Sequence, residues 1–393
     1  MKSKLYITVI ASVFAALLLS CGESENARIL READEIIETD PSKSLEILSQ
    51  AQRQDFSAAD SAYYALLYTQ AQVKSGVRVL SDTLISVAYD YYKDRNEGDL
   101  SERAYFYRGM TFYDSNNYRE AMKDMLAAYD LADANNHPYW KAKSAEVISD
   151  IFIAMENFPQ AELYSLDAVH NYTLSYHNSN LRYALCDLAG IYLNNNKPEL
   201  CVAILDSLHS LVEAEYPTNF NLLEYMQTCL VAGLINTGRT DEIKNEYFTS
   251  IYSDSIPQSV IDRNLLLVRL SCINENFDDA ANAIERAEKA VTTDEQSREV
   301  IYRKFLLKFQ EKNYPEAAIL ADTLIKLQDS LTYAIVNEAT GSAISEYYSE
   351  KAERGAERSK KLSEWLITVC LFSGIALIIF FLIYLLKTRQ RKT

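Results

Sequence analysis

Between Asn26 and Leu331 apolar residues recur at helical spacing: Tyr105, Gly109 and Phe112 in one stretch, Ala121, Met125, Ala128 and Leu131 in the next, and Leu185, Leu188, Ala189 and Tyr192 further on. Residues three and four apart share a helix face, so each stretch predicts an amphipathic helix. Six short polar fragments break the pattern at intervals of 37 to 42 residues: NNYREA ending at Ala121, ENFPQA at Ala161, NNKPELC at Cys201, GRTDEI at Ile243, ENFDDA at Ala280 and KNYPEA at Ala317. In four of the six an Asn precedes an aromatic, which precedes a small residue by three. Asn tolerates the left-handed backbone that ends a helix, the aromatic fills the corner, and the small residue lets two helices approach closely. Each unit therefore predicts a helix, a turn and a second helix. Weaker units around DPSKSLEILSQA and SGVRVLSDTLISVA bring the array to about eight pairs.

The prolines support this division. Pro41, Pro159, Pro198 and Pro315 fall at the turn between paired helices, where a ring that lacks an N–H suits the first helical turn, and Pro138, Pro217 and Pro257 fall between pairs.

The two ends read differently. Lys2 and Lys4 precede an apolar run from Leu5 to Leu19, then Ser20-Cys21-Gly22. Such a run rises only about 22 Å as a helix against a hydrocarbon core of roughly 30 Å, so residues 1–21 read as an export signal. LLSC before a small residue resembles the lipobox of bacterial lipoproteins, which implies acylation at Cys21; a Cys near an ordinary cleavage site is the alternative. From Trp365 to Leu386 no charge occurs, and this stretch predicts a transmembrane helix. Residues 337–364 before it predict a long helix, polar nearly all round, that serves as a juxtamembrane stalk. Residues 387–393 form a basic tail that the export signal places on the cytoplasmic side, with the array in the periplasm and both anchors in the bacterial inner membrane.

Charge narrows the function. The formal charge is −16, and without the six basic residues at the ends it is −22. So acidic a body repels nucleic acid, and none is expected as a partner. Cys186, Cys201, Cys229 and Cys272 show no metal-ligand spacing, Cys201 fills a small-residue slot, and a disulfide among the four is left open. The four histidines are scattered, with only His170 and His177 close, and no phosphate loop, nucleophile elbow or dinucleotide fingerprint occurs. No catalysis, metal or cofactor is expected.

The stretch AYFYRGMTFYDSNNYREAMKDMLAAYDLA, with Tyr105, Gly109, Phe112, Tyr118, Ala121 and Ala128 at landmark positions, resembles the tetratricopeptide repeat. The resemblance extends over residues 26–331, although the spacing nears 40 rather than the family's roughly 34, which keeps a different helical-pair solenoid open. It implies an all-α helix-turn-helix solenoid, a TPR-like superhelix, followed here by the stalk and the span. It also implies a groove along the first helices that binds a protein or peptide, with Arg103, Phe106, Met110, Tyr113, Tyr183, Asn194, Tyr225 and Asn236 at the groove positions. The stalk, with LQDSL ahead of it, looks like a group of Bacteroidetes-type membrane regulators in which such an array is joined through one span to a cytoplasmic effector. Two readings follow: a membrane-anchored periplasmic scaffold for protein or peptide partners, or the sensor half of a regulator that lacks its effector and works as a homodimer or through a membrane signalling partner.

Overall fold

The structure is a computed structural model that describes residues 24–95, 97–213, 220–244, 256–330 and 340–363. The export signal with Cys21, Pro217, the span expected at 365–386 and the tail lie outside these residues. Among the described residues no helix is long and apolar enough to cross a membrane.

Residues up to 338 form one unit. In chain order its helices are α1 (Glu25–Ile36), α2 (Pro41–Leu48), α3 (Ala58–Lys74), α4 (Ile85–Tyr92), α5 (Leu100–Asp114), α6 (Tyr118–Ala134), α7 (Pro138–Ala154) and α8 (Phe158–Leu174). They continue as α9 (Asn178–Asn194), α10 (Pro198–Glu213), α11 (Phe220–Asn236), α12 (Pro257–Ile273), α13 (Phe277–Ala290), α14 (Asp294–Gln310) and α15 (Tyr314–Ser330). Helix α16 (340–363) belongs to a second unit; its i,i+4 ion pairs Arg354–Glu350 and Lys361–Glu357 lie on a solvated surface.

The central helices α6 to α9 each have 17 residues and are joined by three-residue turns. Helix plus turn gives a 20-residue step, which is why the pairs recur every 40 residues rather than 34. The middle residue of each turn is left-handed, at Asn116, Asn136, Glu156, Tyr176 and Asn196, and Glu275 and Lys312 repeat the geometry further on. This corrects the role expected for the Asn before each aromatic. Asn117, Asn157 and Asn276 are N-caps, each accepting from a backbone N–H three residues on, and Asn313 does the same for Glu316. The residue before each of them takes the positive φ. The physical reason is that the cap satisfies an orphan N–H with a side-chain oxygen, which a left-handed Asn could not aim at the new helix.

The small-residue slots are as the sequence predicts: Ala121, Ala161, Cys201, Ala280 and Ala317 are all buried where the second helix of a pair meets the first. Prolines stand in the first turn of α2, α7, α8, α10, α12 and α15. Each helix packs on its sequence neighbour, and the stronger contacts beyond that all run between first helices: α1 with α3, α3 with α5, α5 with α7, α9 with α11 and α12 with α14. First helices therefore line the inner side of the superhelix. Between α7 and α9 this contact is weakest.

Candidate functional site

The inner face carries a polar seam that passes from one first helix to the next. At its N-terminal end Arg103 of α5 is buried and held on both sides. Its Nη2 donates to Asp34 Oδ1 at 2.6 Å and to Gln70 Oε1 at 2.7 Å, and its Nε donates to Gln70 at 3.0 Å. Burial opposes the charge of Asp34, but the Arg103 guanidinium outweighs it and holds the carboxyl below its usual range. Beside this pair Glu38 accepts from Gln70, Lys74 and Tyr139 at 2.9, 2.9 and 3.3 Å. Lys143 of α7 lies 5.0 Å from the Phe106 ring and 5.8 Å from those of Tyr139 and Trp140. Burial, with the nearby Lys74 charge, pushes its ammonium down to about 8.

The middle of the seam is acidic. Glu146 and Asp150 stand one turn apart on α7, facing Asp187 of α9. All three are half-buried, and burial raises every carboxyl; neighbouring acids raise Asp150 and Asp187 further, Asp187 to about 6, whereas Tyr172 and Lys143 hold Glu146 back. Tyr172 donates to Glu146 at 2.6 Å, and Tyr225 of α11 donates to Asp187. Tyr113 of α5 is close enough to Asp150 for the carboxylate to raise its phenol further. Like charges across the α7–α9 junction fit the weak contact there. Among the described residues no group of His, Cys, Asp and Glu is arranged to hold a metal ion, so the three carboxyls do not converge on a cation.

The expected groove residues divide accordingly. Tyr113 and Tyr225 border the acidic centre, and Tyr183 and Tyr225 are 37% and 38% exposed. Met110 is half-buried, and Asn194 is exposed but donates back to Gly190 O at 3.1 Å. Phe106 is buried in an aromatic cluster with Tyr107 and Trp140, and Arg103 is committed to Asp34 and Gln70. Asn236, at the end of α11, accepts from Arg269 of α12.

Lys143, Glu146, Asp150 and Asp187 were not singled out from the sequence. The available signal was a charged stripe, at spacings of three and four, on an otherwise apolar α7. Among the described residues the cysteines are free thiols: Cys186, Cys201 and Cys229 share one core cluster, and burial pushes the first two up to about 12, so they behave as small apolar residues. His177 stacks on Tyr139 at 4.1 Å and His137 meets the buried Glu102 at 2.9 Å, both structural contacts.

No family model and no curated protein matches the chain in sequence. Solved structures do match in fold. A Rap protein complexed with Competence and Sporulation Factor is 13% identical, with 80% of this chain and 99% of that chain covered and a TM-score of 0.56. NprR in complex with its cognate peptide NprX is 13% identical, with coverage of 83% and 84% and a TM-score of 0.49. BtubC from P. vanneervenii is 13% identical, with coverage of 68% and 91% and a TM-score of 0.31. The Rap likeness establishes an all-α, TPR-like superhelix of paired helices; the other two superpose more loosely and add nothing to it.

Proposed function

We propose that this chain is a binding scaffold whose inner helical face holds an extended segment of a polypeptide partner, and that it works in the periplasm, anchored to the inner membrane through Trp365–Leu386. The carrying observation is the juxtaposition of Tyr113 and Tyr225 with Glu146, Asp150 and Asp187, with the exposed Tyr183 one turn before Asp187 on α9, across four successive first helices. Tyrosine gives contact area at low entropic cost. Half-buried carboxyls raised chiefly by burial gain from any ligand that brings N–H donors or a positive charge, and a polypeptide brings both. The Rap protein of the same fold is itself complexed with a factor, which accords with a binding role.

Photoreactive residues in place of Tyr183 and Tyr225 in intact cells test the reading. Adducts to a discrete polypeptide that disappear in an Asp187→Asn background support it. Absence of adducts at both positions retires the face as a binding surface. For the location, Tyr176, 87% exposed, is replaced by Cys and challenged with a membrane-impermeant maleimide. Labelling in spheroplasts places the array outside the cytoplasm, and labelling only after lysis places it inside.

A further inference from the structure

Although α16 is polar nearly all round, its charges are sorted. At 3.6 residues per turn, Ile344, Tyr348, Lys351, Arg358 and Leu362 fall on one face, at intervals of four, three, seven and four. Tyr347, Arg354 and Lys361, seven apart, run along one flank of that face. Glu346, Glu350, Glu353 and Glu357 turn away from it, and Lys360 is the one base among them. Residues 348–363 are all exposed, Tyr348 by 47% and Leu362 by 58%, so among the described residues nothing covers this stretch of the face. Lys351 Nζ stands 5.9 Å from the Tyr348 ring. Along the border between the two sides Arg354 pairs with Glu350 at 3.6 Å and Lys361 with Glu357 at 2.8 Å. Ion pairs as exposed as these are weak and do not cancel the face for another partner. In a chain with 55 acidic residues against 39 basic ones, a helix face of bases and aromatics stands apart, and the uncharged run Trp365–Leu386 begins two residues after the helix ends.

We propose that this face of α16 binds the anionic phospholipid headgroups of the membrane surface, so that the helix lies along the bilayer instead of standing away from it as a stalk. Lys351, Arg354 and Arg358 meet the phosphates, while Tyr348 and Leu362 reach the boundary between headgroup and acyl chain, where amphipathic side chains settle. The glutamates on the other side stay in water. A second copy of the helix fits this face poorly, because pairing would set Lys351 and Arg358 against like charges with no continuous apolar seam between them. The assignment rests on the reading of Trp365–Leu386 as a span and adds to it a surface contact with a defined lipid charge.

The test places the full chain in nanodiscs of phosphatidylcholine, alone or with about one third phosphatidylglycerol as the anionic lipid. A photoreactive residue replaces Tyr348 or Ser349, which points to the other side of the helix, and lipid adducts are read by mass spectrometry. Adducts are expected at position 348 and not at 349, roughly tenfold more in the anionic discs, and an increase in salt from about 0.05 to about 0.5 M should remove that excess. Lys351→Glu combined with Arg358→Glu should abolish it, while Glu353→Gln leaves it intact. Both exchanged bases are exposed, so the melting temperature should not move and loss of adducts is separable from loss of fold. Equal adducts at the two positions, equal adducts in the two lipids, no adducts at either position, or adducts to a second copy of α16 in place of lipid would overturn the assignment and leave the span standing. A chain that does not enter the discs would sink the span and the assignment with it.

Discussion

Arg103 and Asp34 are 69 positions apart in the chain, and their side chains meet at 2.6 Å. The contact ties the third first helix to the first one across α3, with Gln70 closing the other side of the guanidinium. Because Arg103 is only 5% exposed, removing Asp34 leaves a buried charge with only the more distant Asp99, at 3.9 Å, to balance it. Asp34→Ala should therefore cost about 3–5 kcal/mol, the range for breaking a buried pair from one side. Replacing both residues, Asp34→Leu with Arg103→Met, should recover much of that loss. Urea denaturation monitored by circular dichroism measures both. A single variant as stable as the parent would mean that the pair contributes only orientation.

Stability should rise as pH falls from about 7.5 to about 5. Asp187 and Asp262 are pushed up to about 6, by burial first and by neighbouring acids second, while Glu146 and Asp150 are also raised. A carboxyl raised in the folded state favours folding below its unfolded value near 4 and loses that contribution as pH rises through about 6. Asp34 and Glu38 act in the opposite sense, because their lowered values withdraw stability only as pH drops below about 4. The melting temperature should thus peak between these windows. Asp187→Asn should flatten the alkaline side of the curve; an unchanged slope would show that Asp187 titrates normally.

The helix pairs were legible in the sequence because each turn writes its own signature: Asn as a cap, Pro in the first turn, and a small residue where helices close. The seam was not. Arg103 stands where the family resemblance places a groove residue, and only the packing of α1 against α3 and α5 turns it into a structural cation. Likewise Glu146, Asp150 and Asp187 are ordinary helix acids until α7 and α9 set them face to face. Local chemistry fixes turns within a few residues, whereas a site assembled from side chains about 40 residues apart depends on the superhelix that brings successive first helices together.

Close packing gives two glycines different tolerances. A Cβ on Gly233 of α11 would lie 2.8 Å from Val202 Cγ2 and 3.4 Å from Cys201 Sγ, and one on Gly109 of α5 would lie 2.8 Å from Met125 Cε. Valine is β-branched and stiff, whereas the methionine terminus can swing away. Gly233→Ala should therefore destabilise by about 1–3 kcal/mol as an overpacked core. Gly109→Ala, offset by the roughly 1 kcal/mol that alanine gains over glycine in a helix, should be close to neutral. Parallel urea titrations decide the order, and equal losses would mean that the Asp124 Cβ, 3.2 Å from the Gly109 position, rather than Met125 sets the limit.

The turn between α8 and α9 should be improvable. Tyr176 holds φ at 58° in the left-handed region, yet its ring is 87% exposed and so gains little from burial to offset the strain. At the equivalent positions of neighbouring turns the chain uses Asn136 and Asn196, at 57° and 56°. Asn enters this region more readily than a bulky residue because its short polar side chain can hydrogen-bond locally. Tyr176→Asn should raise stability by up to about 1 kcal/mol, with Asn136→Tyr losing a similar amount as the reciprocal control. If the ring at position 176 instead touches a bound partner, the same substitution would raise the melting temperature of the free protein while weakening the crosslinks from Tyr183. A fall in the melting temperature would show that the turn tolerates tyrosine without strain.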